Sequence, residues 1–527
     1  MKRTAITLIL TLCTLCASLA VSFPPMKKLN YAGQIIEGYY VDSVDSEAIA
    51  ESAIIAMLKK LDPHSTYSNA EETRELTEPL QGNFSGIGIQ FNMLTDTLYV
   101  IQTVAGGPSE KVGILPGDRI IYAQDSLIAG VKKKNSEIMK LLRGPKGSTA
   151  RVRVMRKGVS DLIDFNIVRD DIPIYSVDAA YMATPEVGYI RISRFAESTA
   201  KEVTHALKRL KKEGMKDLII DLEDNGGGYL NAATDIADMF LHRGDLVVFT
   251  KGDKSRLSQY TTTSNGKYTD GRLVVMVNQY SASASEILAG AVQDQDRGII
   301  VGRRSFGKGL VQRPFPFPDG SMIRLTVARY YTPSGRCIQK PYSADDDDYY
   351  SDILERYRHG EFSSADSVHL PDSLRYYTVR NMRPVYGGGG IMPDRFVPID
   401  TTSYSDYYRD LVAKGTVYKF ATSYIDQNRN ALKKQFPTEN SFVTDFSVSD
   451  EMIDRLKKAG QTDGVELNEE QFAVSEPTIR RVIKALIGRD LFEQSTYFRI
   501  ANDGNPVYRE ALQIISDPKA YNRLLNP

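Results

Sequence analysis

The sequence predicts an α/β multidomain protein with an N-terminal helical segment, a β-domain, an α/β core and a helix-rich C-terminal extension. Three patterns support this fold class. Buried apolar strands alternate with amphipathic helices across residues 187–301, which is typical of an α/β core. Short alternating strands separated by turns fill residues 84–168. Helical spacing of apolar residues dominates both ends of the chain.

The composition limits the possible partners. The 527 residues suggest about three or four domains. Because 66 basic residues balance 66 acidic ones and no basic tract occurs, nothing indicates binding to nucleic acid or to an anionic membrane. Cys13 and Cys16 lie in the N-terminal apolar run, so Cys337 is the one cysteine expected in the mature chain. A lone cysteine makes no internal disulfide.

The first 22 residues are predicted to be a secretory signal peptide. Two basic residues precede an apolar run from Ala5 to Ala20, which is short for a membrane span, and small residues up to Ser22 suit cleavage before Phe23. Lipid attachment at Cys16 is the weaker alternative, because a bulky leucine precedes it. The leader predicts a periplasmic protein.

The segment over residues 23–80 is predicted to be helical. Apolar residues recur at helical spacing over residues 47–61, and Asp62-Pro63 ends that helix. His64 follows this turn far from any serine motif, so we expect it to be structural rather than catalytic.

The β-domain begins with Gly86-Ile87-Gly88-Ile89, which by itself indicates an ordinary glycine turn opening a strand. Its further elements are predicted from alternation and turn residues: strands at 97–104, 119–123 and 149–155 and a short helix at 136–142.

The first half of the α/β core contains a glycine-rich turn at the end of a buried strand. The strand over residues 218–222 runs into residues 223–228, Glu-Asp-Asn-Gly-Gly-Gly, which we call the glycine loop, and a helix is expected over 232–241. Such a turn places exposed amides at the carboxyl edge of the sheet, where α/β sites usually form. A plain turn at a helix start is the alternative.

The second half of the core carries serines at the start of a helix. A buried strand over residues 273–277 leads into a tight corner and then a helix whose first turn holds Ser281, Ser283 and Ser285. Free backbone amides there could hold an oxyanion beside a nucleophilic serine. The run from Ser283 to Glu286 also fits a capping box, so helix capping is the alternative role of Ser283.

A lysine between two glycines follows the next strand. Lys308 has apolar neighbours beyond Gly307 and Gly309, a poor setting for a solvated lysine. If residues 308–312 are extended, the Gln312 amide lies beside the lysine side chain. Desolvation lowers a lysine pKa, so Lys308 could act as a neutral base that Gln312 orients. These features fit a Ser/Lys pair in which the serine attacks a carbonyl and Lys308 takes its proton.

Rival chemistries have weaker support. Residues 302–308 match the start of a phosphate-binding loop, but Gly309 replaces the required Ser or Thr and starts no convincing helix. The five histidines are scattered, which does not favour a Ser/His/Asp triad, and no spacing suits zinc. The acids from Asp345 to Asp348 could bind a cation but are more typical of a solvated loop. No metal or organic cofactor is predicted.

The Ser-Ala-Ser-Ala-Ser-Glu run, the Phe-Gly-Lys-Gly run and Gln312 resemble the carboxy-terminal processing peptidases, or tail-specific proteases, which are Ser/Lys peptidases with an embedded PDZ domain. The resemblance covers most of the chain up to about Pro398. It implies that Ser283 is the nucleophile, a choice that spacing alone does not make. It also implies Lys308 as the base, Gln312 as the residue that orients it, and the amides of Gly227 and Ala284 as oxyanion donors.

The same resemblance implies that the β-domain is a PDZ domain. Its segment of Gly86, Ile87, Gly88 and Ile89 would then bind the terminal carboxylate of a peptide that adds a strand to the sheet edge. The expected partners are polypeptides with accessible C-termini, and a peripheral membrane or adaptor association stays open. Neither the natural substrate nor the oligomeric state follows from the sequence.

The sequence departs from the family pattern at two places. Gln279 and Tyr280 stand where the family usually has a glycine-rich corner, and Glu223 and Gly226 stand where it usually has Arg and Pro. Two functions therefore stay open. One is a secreted endopeptidase that recognises polypeptide C-termini, and the other is a catalytically silent PDZ scaffold on a protease-like fold.

The domain organisation expected from these patterns has five parts. They are a signal peptide over 1–22, the N-terminal helical segment over 23–80, the PDZ domain over 84–170, the peptidase core over 171–400 with an insertion at 344–386, and the C-terminal domain over 401–527.

Overall fold

A computed structural model of the chain describes residues 24–94, 96–264, 266–343 and 349–526. The expected signal peptide and the acidic run from Asp345 to Asp348 lie outside the described residues. Within these ranges, no helix is long and apolar enough to span a bilayer.

The N-terminal segment is helical except for one short strand. Its elements are α1 (Pro25–Tyr39), α2 (Ser46–Lys59), β1 (Thr66–Ser68) and α3 (Ala70–Gln81). The Asp45 side chain accepts the Ala48 N–H and so caps α2. Strand β1 pairs with a strand of the core, with Thr66 opposite Arg324, which fastens the segment to the core.

The β-domain is an antiparallel sheet with two helices. Its elements are β2 (Asn83–Gly86), β3 (Ile89–Leu94), β4 (Thr97–Thr103), α4 (Pro108–Lys111), β5 (Arg119–Ala123), β6 (Ser126–Leu127), α5 (Asn135–Leu142), β7 (Thr149–Met155), β8 (Ile163–Val168) and β9 (Asp170–Pro173). The strand order is β3-β4-β5-β7-β8, with β6 on β5, so β3 is an edge strand. Strands β2 and β9 pair separately, where the chain enters and leaves the domain.

The core contains two sheets. Its elements as far as Tyr331 are β10 (Val177–Met182), β11 (Val187–Ile192), α6 (Thr199–Lys212), β12 (Asp217–Asp221), α7 (Leu230–Ala237), β13 (Leu246–Gly252), β14 (Ser255–Thr261), β15 (Leu273–Val277), α8 (Ala284–Asp294), β16 (Ile299–Gly302), β17 (Leu310–Pro316) and β18 (Met322–Tyr331). After β18 come α9 (Asp352–Arg358), two short 3-10 helices (Ala365–Ser367 and Asp372–Leu374), β19 (Arg375–Tyr377), β20 (Pro384–Tyr386) and β21 (Arg395–Phe396).

The main sheet has the order β10-β11-β12-β15-β16-β21 and is parallel from β11 onward. The second sheet has the order β1-β18-β13-β14, and β17 also pairs with β18. Strands β12 and β15 are buried at every position because helices cover both faces of the main sheet.

The C-terminal extension is helical. It consists of α10 (Asp406–Ala413), α11 (Thr416–Gln435), α12 (Glu439–Asp445), α13 (Asp450–Thr462), α14 (Glu469–Leu491), α15 (Gln494–Ala501), a 3-10 turn (Asn502–Gly504), α16 (Pro506–Ser516) and α17 (Pro518–Leu525). The first helices form a core of their own, whereas α16 packs on the main sheet, with Tyr508 and Ile515 in one buried cluster with Tyr189 and Val274. The extension also holds the β-domain, because Asp426 accepts a hydrogen bond from Tyr99 and pairs with Arg119.

The fold class predicted from the sequence is confirmed. The strands expected at 119–123, 149–155 and 273–277 have these bounds in the structure. The helix expected at 232–241 instead spans Leu230–Ala237. Lys308 lies before β17 rather than within an extended segment that includes Gln312. Strands β13 and β14 were not expected from the sequence.

Candidate active site

Ser283 lies at a strained corner between β15 and α8. Its φ of 56° and ψ of −112° are rare for a residue with a side chain, and such strain accumulates at functional sites. Ser281 stabilises the corner, because its hydroxyl accepts the Asn278 N–H at 2.9 Å and donates to Leu222 O at 2.7 Å. The corner is therefore tied to the end of β12, where the glycine loop begins.

The Ser283 hydroxyl is not used as a helix cap. It makes no hydrogen bond to the first turn of α8. The Glu286 N–H donates instead to the Ser283 main-chain oxygen at 2.9 Å, while the Ser283 N–H donates to the Glu286 carboxylate at 2.8 Å. The Ser283 main chain and the Glu286 carboxylate therefore hold the start of α8.

Lys308 is half-buried because its backbone runs between other segments. A Cβ at Gly307 would lie 3.1 Å from Gly390 N, and one at Gly309 would lie 2.9 Å from Gln339 N, so the lysine needs a glycine on each side. Burial, with Arg324 as a second cause, lowers the pKa of Lys308 from 10.5 to about 8. An amine with this pKa can accept a proton near neutral pH.

The Glu286 carboxylate joins the serine and lysine segments. It is fully buried and accepts hydrogen bonds from Ser283 N at 2.8 Å and Lys308 N at 2.9 Å. It also accepts Gly307 N at 2.7 Å and Ser305 Oγ at 2.5 Å. Burial raises the pKa of Glu286, and these four donors oppose that rise because they favour the ionised form. One side chain therefore positions both backbones.

Tyr330 makes a second connection between the same two residues. Its hydroxyl lies 2.7 Å from Lys308 O and 3.1 Å from Ser283 O, so one proton is shared between two carbonyls. Burial raises the pKa of Tyr330 well above its usual value, which keeps the hydroxyl protonated as a donor.

The glycine loop lies against Ser283, but not all of its amides point to where an oxyanion would form. Gly227 has a φ of 102°, and a Cβ there would lie 2.8 Å from Ser283 Cβ and 3.0 Å from Ala284 N. The Gly227 N–H donates to Asn225 Oδ1 at 2.9 Å and is therefore not directed at an incoming oxygen. The Ala284 N–H, at the first position of α8, has no acceptor among the described residues.

Gln312 and His64 differ in how they interact with Lys308. The Gln312 Nε2 is buried without a hydrogen-bond partner in the described part of the chain, so this amide donates no hydrogen bond to the Lys308 amine here. The charge of Lys308 acts on His64, whose pKa falls to about 3, mainly through burial. His64 Nε2 lies 3.0 Å from the Tyr349 hydroxyl. A neutral, tyrosine-bound imidazole fits the structural role expected for it.

The expected peptide-binding segment lies in the β-domain, away from Ser283. Gly86 ends β2, Gly88 has a φ of 74°, and Ile89 begins the edge strand β3. The Ile87 side chain is 3% exposed in the β-domain core, and its carbonyl accepts from Ser109 N and Oγ. A side chain packed into the core offers little to a peptide, which leaves the half-buried Ile89 as the apolar residue of this segment.

The described residues form neither the phosphate-binding loop nor a metal site, the alternatives considered from the sequence. Gly309 is followed by strand β17 rather than by a helix, so the segment 302–308 lacks the helix N-terminus that a phosphate-binding loop needs. In the described ranges, no three His, Cys, Asp or Glu side chains are grouped to hold a metal ion.

Comparisons with protein families match four parts of the chain. Residues 186–347 match peptidase family S41, residues 85–167 match the PDZ domain, and residues 17–73 match the N-terminal domain of the activating protease CtpB. Residues 407–493 match a family of unknown function.

Curated relatives agree with these matches. The carboxy-terminal-processing protease of Bartonella bacilliformis is 36% identical over 321 residues, which cover 59% of this chain and 73% of the relative. The carboxy-terminal processing protease CtpB of Bacillus subtilis is 36% identical, and the match covers 60% of this chain and 66% of that protein, just under two thirds. A solved photosystem II D1 C-terminal processing protease is 29% identical and covers 59% of this chain and 83% of its own, with a TM-score of 0.34.

We expect the Lys308 amine to become reactive at an unusually low pH. Because burial disfavours its charged form, labelling by an acylating reagent should reach half its maximal rate near pH 8 rather than 10.5. R324Q removes a charge that lowers this pKa and should move the midpoint upward, whereas R329Q on the same strand should not. Peptide mass spectrometry follows the labelled site, and K308R identifies it. A midpoint near 10.5 in the native protein would contradict the burial of this amine.

Proposed function

The chain belongs to the carboxy-terminal processing serine proteases that carry a PDZ domain, and on this premise we propose that it is an endopeptidase with a Ser283–Lys308 dyad. The observation that carries the proposal is the double connection between the two residues. Glu286 binds their N–H groups and Tyr330 their carbonyls, while Lys308 has a lowered pKa. A fold that only bound peptides would not require this arrangement.

In the proposed reaction, neutral Lys308 takes the hydroxyl proton as Ser283 Oγ attacks the substrate carbonyl. The tetrahedral intermediate expels the amine, which receives that proton from the Lys308 ammonium. Lys308 then deprotonates a water molecule that hydrolyses the acyl-enzyme, and Ser283 recovers its proton. With a pKa of about 8, about a tenth of the molecules carry neutral Lys308 at pH 7.

The oxyanion of the intermediate would be bound by the amides of Ala284 and Gly227. The Ala284 N–H is already free at the start of α8, where the helix dipole also favours negative charge. The Gly227 N–H would have to leave Asn225 Oδ1 for the substrate oxygen. We therefore propose that substrate binding completes the oxyanion site through a small rotation in the glycine loop.

Gln312 is proposed to orient Lys308 once substrate is bound. Its unpartnered buried amide supports this role, because an unsatisfied polar group costs about 1–3 kcal/mol and is retained where it has a use. Hydrogen bonds at catalytic sites often tighten only in the substrate complex.

Substrate choice is proposed to depend on the PDZ domain. The edge of β3 is open for an added strand, and the backbone amides of residues 86–89 lie at its start. A polypeptide with a free C-terminus would bind there and present an internal bond to Ser283. The apolar run from Ala5 to Ala20, with two basic residues before it, supports a periplasmic setting.

A catalytically silent PDZ scaffold is the second candidate. The observation that favours it is the Gly227 N–H, which is bound to Asn225 rather than free. Cleavage by the purified protein distinguishes the two functions.

The first activity prediction concerns the dyad. S283A and K308A should each abolish cleavage of unfolded β-casein without lowering the melting temperature, because nucleophile and base act as a unit. Q312A should be slower but still active. S281A and S285A are unsuitable as controls, because Ser281 holds the corner and the buried Ser285 hydroxyl donates to Asn225 O of the glycine loop. The matched control is S258A, at an exposed position of β14, and it should keep native-like cleavage. Native-like cleavage by S283A or K308A would exclude the dyad, and an unchanged rate in Q312A would remove Gln312 from the mechanism.

The second activity prediction concerns the substrate terminus. A quenched fluorescent peptide that ends in an apolar residue with a free carboxylate should be cleaved faster than its C-terminally amidated twin. Charge-assisted hydrogen bonds to the loop amides are about twice as strong as neutral ones. Deleting residues 85–167, the matched PDZ domain, should reduce this difference. Equal kcat/KM values for the two peptides with the intact enzyme would show that C-termini are not recognised.

A further inference from the structure

The glycine loop is attached to the C-terminal helices. Asn505 stands at the start of α16, and its Nδ2 donates a 2.7 Å hydrogen bond to Glu223 Oε2. Glu223, the first residue of the loop, is 6% exposed. Because a buried carboxylate is costly unless it is hydrogen-bonded or paired, Asn505 supplies a contact that this loop residue requires.

Few other groups neutralise Glu223. Arg303 Nη2 lies 3.8 Å from its carboxylate, beyond hydrogen-bond distance. Asp221, whose carboxylate accepts the Glu223 N–H, places a second negative charge close by. Burial and this neighbour raise the pKa of Glu223 to about 7. The position of Glu223 is therefore sensitive to the loss of a single donor.

Phe498, a second residue of the C-terminal helices, contacts the glycine loop through Arg191. Arg191 Nη2 donates to Glu223 O at 3.0 Å, and its guanidinium lies 4.7 Å from the centre of the Phe498 ring. Phe498 belongs to α15, and Asn505 caps α16, the next α-helix along the chain. The side chain and the carbonyl of Glu223 are thus both connected to the same C-terminal hairpin of helices.

The far end of the glycine loop touches the nucleophile. Gly227 lies against Ser283 so closely that no Cβ would fit between them. Oxyanion donors act only within a narrow range of distances. A displacement of the loop at Glu223 would therefore reach the reacting groups.

We propose that Asn505 is a positioning residue for this protease, holding the glycine loop against Ser283 through its hydrogen bond to Glu223. The inference rests on the proposed function, because the loop needs a fixed position only if it stabilises an oxyanion. Through Asn505, the C-terminal helical extension would contribute to turnover.

The test is the substitution N505D in the full chain. Asp still caps α16, because the cap uses Oδ1, which accepts the Val507 N–H at 2.8 Å. It removes the amide donor to Glu223, and at pH 9, above the raised pKa of Glu223, it places a second negative charge beside that carboxylate. We expect kcat for the quenched fluorescent peptide at pH 9 to fall about tenfold with KM unchanged, because the oxyanion donors that the loop positions act in the transition state.

Two further variants separate positioning from a general structural effect. E223Q/N505D restores a hydrogen bond of reversed polarity, since the glutamine amide donates to the aspartate, and should recover most of the lost kcat. N468D is the matched control, because Asn468 caps α14 through the Gln471 N–H on an exposed surface. It should leave kcat unchanged.

The outcomes are distinct. An unchanged or raised kcat in N505D, or a loss that E223Q does not restore, overturns the proposal. If N505D does not fold, N505S retains a capping hydroxyl but is too short to reach Glu223, and an unchanged kcat there overturns the proposal equally. Activity that survives in S283A contradicts the proposed function instead, so the two failures are not confused.

Discussion

The geometry of the candidate site depends on one buried carboxylate. Glu286 has no exposed surface, and its two oxygens accept four hydrogen bonds from the segments that carry Ser283 and Lys308. A buried charge is tolerated only when such partners surround it, and a hydrogen bond to a charged group contributes about 1.5–3 kcal/mol. The carboxylate therefore fixes the lysine loop relative to α8, and the glycines beside Lys308 are the local adaptation that lets the loop pass so close to its neighbours.

Hydrogen bonds from distant parts of the chain also hold the segments that surround the site. Each segment around Ser283 is bound by a polar group from a distant part of the chain: Tyr330 from β18, Asn225 from the glycine loop and Asn505 from the C-terminal helices. The helical extension also covers one face of the main sheet, so it belongs to the folded core of the enzyme. Because these attachments come from several parts of the chain, the position of the proposed oxyanion donors depends on the whole chain rather than on the loop alone.

Sequence patterns predicted most of the elements and all of the candidate residues, but they missed β13 and β14 and the contacts among the candidate residues. Periodicity placed β7 and β15 correctly, and the apolar setting of Lys308 indicated the lowered pKa that burial produces. Glu286 appeared only as a capping partner, because its contacts with residues 305–308 join positions 19–22 residues apart. Asn505 and Glu223 are 282 residues apart, and no local pattern predicts such a pair. The bond from Gly227 N to Asn225 depends on backbone orientation, which a glycine run leaves open.

The central claim is that Ser283 is a nucleophile activated by Lys308. Treating the purified protein with a fluorophosphonate, which forms a stable adduct with activated serines, tests it directly when the modified peptide is identified by mass spectrometry. The account predicts one adduct, on Ser283, that forms much more slowly in K308A. An adduct on Ser281 or Ser285, or labelling of Ser283 at the same rate without the lysine, would contradict it.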